Sequence, residues 1–364
     1  MSLWRRFLYL VVDNHKRMPS SPWYTLHRID TFQLFHSHGY AGGRANPVVE
    51  APLPEREMSF DLSGRMRFSL LGRCKDKIVG VDGMGRGVLY DDSLHSVRPL
   101  PTMAATPKLY RTLSVAVDSV GAGDDGSVYV MEADHPPGRR RHVQELVYQH
   151  KEEDWAWRSL PPPPYVRPRQ RKGCRFGGDI TCHAVESYRE GDGSLVWVSA
   201  AGRGTYWLDT ATHVWTKAGD WVLPFRGQAV PIPELGIWLG FSAASRGDIC
   251  ASDLAAAVDE DRPPAADQVW EGFAVPDGFH ELYSRLVYLG DRQFCVAKIF
   301  EWTPRLFRRR HCPLCCYDLP DENEGKCFAM LTGLEVAHTR RCHRVIRHKS
   351  LRYCLGESFT GCVL

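Results

Sequence analysis

The sequence predicts an all-β fold, a single β-propeller of five to seven blades with six the preferred count. Three observations carry this reading. No stretch of about 12 or more residues keeps an apolar i, i+3, i+4, i+7 stripe free of Pro and Gly, so long helices are not expected. Short β-rich runs punctuated by Gly, Pro, Asp and Asn take their place. A four-strand unit then recurs at about 45–60 residues, the period of a propeller blade.

In chain order the expected strands include Arg6–Val12, Tyr24–Phe35, Arg67–Leu71, Lys77–Val81, Thr112–Val117 and Ser127–Met131. They continue with Ile180–Ser187, Leu195–Ser199, Ala229–Ile232, Ile237–Phe241, Arg285–Leu289, Phe294–Phe300 and Arg344–Ile346. A short helical turn is expected around Asp253–Val258. The 32 Gly and 24 Pro residues make up about 15% of the chain, above the ~12% average, which suits many tight turns.

The repeat is legible in three segments. Gly85-Arg-Gly87 leads through an apolar stretch to Asp92, and Gly202-Arg-Gly204 leads without a gap to Asp209, with Trp215 opening the next strand. A third copy runs from Gly247 to Asp253, with Trp270 delayed by an insert. A degenerate copy runs from Tyr148 to Trp155, with Gln149 where the others carry Asp. The domain reading is one propeller over residues 1–364. Four repeat units span 65–273 and a last unit spans 274–364, with a Cys-rich insert at 303–325. The β-rich segment 1–64 completes a closing blade together with the C-terminal end, which removes free sheet edges.

A residue that recurs once per unit does the same local work in each. Asp92, Asp209 and Asp253 are therefore read as turn residues whose carboxylates accept backbone N–H groups two residues on, not as catalytic acids. Trp155, Trp215 and Trp270 are read as packing residues between blades. Gly85, Gly87, Gly202 and Gly204 lack the spacing and the following helix of a phosphate-binding loop, and hairpin turns needing positive φ explain them better.

The segment DTATHVWTKAG resembles the third-to-fourth-strand corner of a kelch repeat. More broadly, GRGTYWLDTATHVWTKAGDWVLPFRGQAVPIPELGIWLGF is similar to an uncharacterised kelch-like plant family expanded in grasses, which carries a domain of unknown function. The opening RRFLYLVVDN, the segment RLVYLGDRQFCVAKIFE and the ending MLTGLEVAHT with RHKSLRY resemble the same family. The resemblance implies a propeller-like fold and no activity. The chain departs from kelch in placing Ser199-Ala200-Ala201 where a Gly-Gly pair would stand.

Composition narrows the function. Forty-six Lys and Arg against 43 Asp and Glu give a net charge of +3, too balanced for nucleic acid to be the main partner. Two basic stretches, Arg167–Lys172 and Arg308–Arg310, lack an aromatic ladder for base stacking and read as solvated loops, with nuclear import left open. The longest apolar run, Phe7–Val12, falls far short of the ~20 residues of a membrane span and of a ~7–15-residue signal segment with a cleavage site. The expectation is a monomeric chain inside the cell, cytoplasmic or nuclear. Twelve cysteines are about 3% of the chain, well below a disulfide scaffold, and Cys250, Cys295 and Cys327 read as small buried hydrophobes.

Metal chemistry has one weak foothold. Cys312 and Cys315 have the spacing of half a zinc site, but no second Cys-x-x-Cys pair follows, so no metal and no cofactor is expected. There is no Gly-x-Ser-x-Gly, His-Glu-x-x-His or Walker motif. The reading is a non-catalytic scaffold that binds a protein partner or ligand through loops on one propeller face. An enzyme with its site at the central opening is the alternative. Several titratable side chains pointing into an opening would favour the enzyme, and an aromatic-rimmed patch would favour the binding module.

Overall fold

The computed structural model describes residues 4–14, 24–35, 48–61, 66–72, 74–103, 112–118, 126–133, 143–165, 179–188, 193–254, 258, 262–273, 276, 278–303, 325–338, 343–357 and 360–364. The insert at 304–324, with Cys312 and Cys315, and the basic stretch 167–172 lie outside the described residues. The fold is all-β. Among the described residues, helix is limited to one turn at Phe32–Phe35 and to helical positions at Leu254 and Val258, which lie in the short turn expected at Asp253–Val258.

Strands β1 (Phe7–Asp13) and β2 (Tyr24–Asp30) pair antiparallel, with Phe7 opposite Asp30 and Asp13 opposite Tyr24. The run expected to stay extended to Phe35 instead turns into α1 (Phe32–Phe35). Asp30 is the cause: its Oδ1 accepts the Phe32 amide at 3.0 Å, and the Thr31 carbonyl accepts the Leu34 amide at 3.0 Å. After β3 (Val48–Ala51), β4 (Arg56–Phe60) pairs with β2.

Two up-and-down meanders follow. Strands β5 (Met66–Leu71), β6 (Lys77–Asp82), β7 (Gly87–Asp91) and β8 (Ser96–Leu100) form one. Strands β9 (Thr112–Val117), β10 (Ser127–Glu132), β11 (Val143–Gln149) and β12 (Asp154–Leu160) form the next. Strands β13 (Ile180–Ser187), β14 (Ser194–Ala200), β15 (Gly204–Asp209) and β16 (Trp215–Gly219) make a third, and β17 (Phe225–Ile232), β18 (Ile237–Ser242), β19 (Ile249–Ser252) and β20 (Gln268–Trp270) a fourth. These last two meanders join into one eight-stranded sheet, because β13 and β17 pair in parallel with Cys182 opposite Gly227.

Strands β21 (Phe279–Gly290), β22 (Gln293–Trp302), β23 (Lys326–His338) and β24 (His343–Glu357) form long hairpins, and β3 adds to β24 in parallel. The chain returns in β25 (Thr360–Val363), which pairs with β1 so that Val363 faces Leu10. The described strands thus sort into six four-stranded arrays plus β3, the arrangement of propeller blades.

Backbone contacts group the chain into two compact units. The first comprises residues 1–63, 245–249 and 270–364, and the second 64–244 and 250–269. In the first, Leu8, Leu10 and Ile29 pack against Ala297, Ile299 and Leu331, so the β1 sheet and the β22 sheet share a core. In the second, each sheet buries a face on the next. Val79 and Leu89 meet Val128 and Leu146, and Val115 and Tyr129 meet Val196 and Leu208. Trp197 and Ala184 meet Trp238 and Cys250. Alternating apolar residues with period two supply both faces.

Cysteine follows the same logic. Cys182, Cys250, Cys295 and Cys327 are free and buried. Burial pushes the Cys250 thiol up to about 11 and the Cys295 thiol up to about 12, so both are neutral and inert at physiological pH.

Candidate functional site

The repeat residues come first, because they position everything else in the second unit. Asp209 closes β15, and its Oδ1 accepts the amides of Ala211 at 2.8 Å and Thr212 at 3.2 Å. In the first meander that work falls to Asp91, not Asp92. Asp91 Oδ1 accepts the Ser93 amide at 3.0 Å, the Leu94 amide at 3.1 Å and the Ser93 hydroxyl at 2.6 Å. Asp92 instead accepts the Tyr90 hydroxyl at 3.1 Å, and its amide donates to the Asp76 carbonyl.

The cause of the slip lies in the preceding hairpin. The Asp82 amide pairs with the Arg86 carbonyl, while Ala200 pairs with Gly204, so Arg86 and not Gly87 is the counterpart of Gly204. Asp82 also holds that hairpin with its side chain, accepting the amides of Met84 and Arg86 at 2.8 and 2.9 Å and the Arg86 guanidinium at 2.7 Å. His95 and His213, four residues after their Asp, both take positive φ, at 47° and 56°.

The glycines divide accordingly. Gly85, Gly202 and Gly247 sit in turns at positive φ, and Gly204 at 96° has no room for a side chain: a Cβ would lie 2.2 Å from the Gly219 carbonyl oxygen. Gly87 is a strand residue without positive φ, and a Cβ there would press on Leu100 at 3.1 Å. Where a kelch glycine pair would stand, the Ser199 hydroxyl is bonded to Thr205 Oγ1 at 2.8 Å and accepts the Leu223 amide at 3.0 Å. A hydroxyl network replaces close backbone approach.

Of the aromatic repeat positions, Trp155 is buried with its ring edge-on to Tyr148 at 5.5 Å. Trp215 is half-buried and donates its indole N–H to the Pro161 carbonyl at 3.0 Å. Trp157, which the repeat alignment passed over, makes the same contact with Pro101 at 2.9 Å. Asp253 follows β19, and its amide donates to Asp267 Oδ2 at 3.2 Å; Trp270 ends β20. None of the aligned residues lines a cavity of ligand size. Their placement is that of scaffold.

The densest group of titratable side chains in the second unit surrounds Glu145. Tyr129 donates to Glu145 Oε1 at 2.7 Å, and Arg158 and His213 approach Oε2 at 3.5 and 3.4 Å. The Glu145 side chain is only 5% exposed. Burial, reinforced by the adjacent carboxylate, drives the Tyr129 hydroxyl well above its ordinary range. The group joins neighbouring sheets, with the Glu145 carboxylate buried and the Arg158 side chain half exposed. A second inward set, Arg67, Ser69, Thr112 and Ser114, borders a void of about 10 Å³, room for roughly one water.

A cavity of ligand size lies in the first unit. It is an open cleft of about 600 Å³, inside the ~300–1,000 Å³ range of binding sites. Three short segments build it. Trp4 and Arg6 precede β1, and the Arg5 amide, bonded to the Leu289 carbonyl at 2.7 Å, fixes their path. Asp30 closes β2, and the turn it caps presents Phe32 and Phe35. Asp291 lies in the two-residue β21–β22 turn, and Gln293 opens β22.

The turn at Asp291 and Arg292 takes positive φ at both residues, 47° and 60°, the twist that a two-residue hairpin needs but that an arginine resists. The Val336 amide, bonded to the Arg292 carbonyl at 3.0 Å, holds it there. The cleft therefore has a rigid acidic corner.

Its rim is aromatic. Trp4 and Phe35 meet edge-on at 5.7 Å, and Phe35 is backed by the His348 ring at 5.1 Å. Phe32 is 52% exposed. Arg6 pairs with Asp30, with Nε and Nη2 each 3.3 Å from Oδ2, and lies over the Phe7 ring at 5.0 Å. Gln293 Oε1 is buried with no hydrogen-bond donor. Sequence reasoning named none of these residues as a site. The one signal was indirect: RRFLYLVVDN and RLVYLGDRQFCVAKIFE, two segments of the family resemblance, carry Arg6, Asp291 and Gln293.

The comparisons with known proteins bear on fold and family. Apo AztD from Citrobacter koseri overlays with a TM-score of 0.41 at 9% identity, covering 98% of each chain. The Cps50 (Swd1) β-propeller domain of Myceliophteria thermophila gives 0.39 at 10% identity, over 88% of this chain and 90% of that one. A structural-genomics protein of unknown function from Bacteroides thetaiotaomicron gives 0.39 at 9%, over 84% and 71%. Overlays this loose say nothing about function. No curated protein matches the chain. A family model does, across residues 5–353, and the chain belongs to that family, the proteins of unknown function designated DUF1668.

Proposed function

We propose that the chain is a non-catalytic recognition scaffold, a single kelch-like propeller that takes a protein partner at the aromatic-rimmed cleft. The observation that carries this reading is the rim itself. Trp4, Phe32 and Phe35 border an open cleft that also presents the Arg6–Asp30 pair and Asp291. Exposed aromatics around a few fixed polar groups are the chemistry of a recognition site. The alternative, an enzyme, has less support, because the titratable cluster at Glu145 centres on a carboxylate only 5% exposed. No helix among the described residues is long and apolar enough to cross a membrane, which suits a cytoplasmic or nuclear scaffold. The resemblance to a plant family makes grass tissue the place to seek the partner.

The test is affinity purification with mass spectrometry from such tissue, run in parallel with wild-type protein and a Trp4→Ala, Phe32→Ala double variant. The expected result is a stoichiometric partner retained by the wild type and reduced by at least about tenfold in the variant, as for paired aromatic hot spots. Equal recovery on both, with both folded, would overturn the cleft as the binding site.

A further inference from the structure

We infer that the cleft receives a cationic side chain, a lysine presented by the partner; this rests on the recognition reading above. Two features of the lining select charge and sign. The first is the balance of ionised groups. Asp30 and Asp291 contribute two carboxylates, and Arg6 is the one cation lining the cleft among the described residues. Arg6 is committed: both of its bonded nitrogens point at Asp30 Oδ2, and its guanidinium rests over Phe7. Asp291 has no such partner among the described residues, and the adjacent Arg292 does not line the cleft. One negative charge is therefore left over at a fixed corner.

An ammonium carries three donors and no acceptor, so it pairs with the Asp291 carboxylate. The second feature is the rim. Trp and Phe faces attract cations through the ring quadrupole while covering an aliphatic stem, and Trp4, Phe32 and Phe35 supply three rings. An anion would meet Asp291 as a like charge, and an apolar side chain would leave it unpaired.

The strained turn adds precision. Asp291 is held at positive φ between β21 and β22, so its carboxylate is placed by backbone geometry and not by a flexible loop. Asn tolerates the same conformation. Asp291→Asn thus removes the charge and leaves the turn.

The experiment is an NMR titration of the full chain with three pentapeptides, Ac-Gly-Gly-X-Gly-Gly-amide, where X is lysine, norleucine or glutamate. The indole N–H resonance of Trp4, assigned with Trp4→Phe, reports binding. The lysine peptide is expected to bind at least about tenfold tighter than the norleucine peptide, to weaken with added salt, and to lose about tenfold in Asp291→Asn at unchanged melting temperature. Equal binding of lysine and norleucine peptides, stronger binding of the glutamate peptide, or an Asp291→Asn variant that binds lysine as well as wild type would each overturn the inference. The outcomes separate from those of the recognition reading. Partner recovery that falls in the aromatic double variant but not in Asp291→Asn keeps the cleft and rejects the cation. Recovery unaffected by either rejects both.

Discussion

On Asp209 a single carboxylate gathers two backbone amides, those of Ala211 and Thr212, together with the Tyr188 and Thr212 hydroxyls. Burial alone would raise its pKa; the hydrogen bonds outweigh it and hold the group below its ordinary value. Asp209→Ala should cost about 1–2 kcal/mol in a urea titration, the loss of a few partly exposed hydrogen bonds. The sign of the pH effect follows from the depressed pKa. The stabilisation is fully present above the unfolded value near 4 and is lost as pH falls through the folded value, so wild type and variant should converge in stability toward acid. A constant difference down to the acid limit would count against this account. That an Asp would cap this turn was legible from the repeat, because Asx turns follow from local sequence. Which Asp does so in the first meander was not. An ungapped alignment matched Gly85 with Gly202, but the two glycines occupy different positions in turns of equal length, and this one-residue offset moved the cap from Asp92 to Asp91.

Strand by strand, the period-two runs located β5, β6, β9, β10, β13, β14 and β18 to within a residue or so, since half-buried strands write their register into apolar alternation. Contacts between sheets left no such trace. Three connections between meanders share a Leu-Pro pair, Leu100-Pro101, Leu160-Pro161 and Leu223-Pro224, with each Leu buried and each Pro carbonyl accepting a bond from the meander that follows. The acceptors serve Trp157, Trp215 and the Ala243 amide in turn. The pairs recur at a blade-like spacing and would have been the better repeat marker. Trp215→Phe keeps an aromatic ring but removes the indole N–H and leaves the Pro161 carbonyl without its donor, and should lower stability by at least about 1 kcal/mol; no change would show that water replaces the indole. Strand β25 offers a sharper test. Its backbone bonds with β1 are joined by the Leu364 amide to the Tyr9 carbonyl at 2.8 Å, and the Val363 carbonyl accepts Tyr283 and Arg285 at 3.0 and 3.1 Å. Removing residues 360–364 should leave several buried groups unpaired at about 1–3 kcal/mol each and drop the denaturation midpoint steeply. A truncated chain as stable as the full one would show that the β1 sheet does not depend on its C-terminal strand.

For the molecule as a whole, the all-β character was readable from missing helical periodicity and dense turn residues, because both are properties of local sequence. The cleft was not readable. Its residues come from positions near 4–6, 30–35 and 291–293, each segment too short to carry a period. The helical turn that raises Phe32 and Phe35 depends on a single capping Asp inside a run that otherwise reads as strand. The proposed site follows from what distant segments place together, not from any motif. The most direct measurement is hydrogen–deuterium exchange of the full chain with and without the captured partner. Recognition at the cleft predicts slowed exchange at residues 4–6, 31–35 and 291–293, with the turns at Asp91 and Asp209 unchanged. Protection confined to other surfaces, with those three segments exchanging as in the free chain, would contradict it.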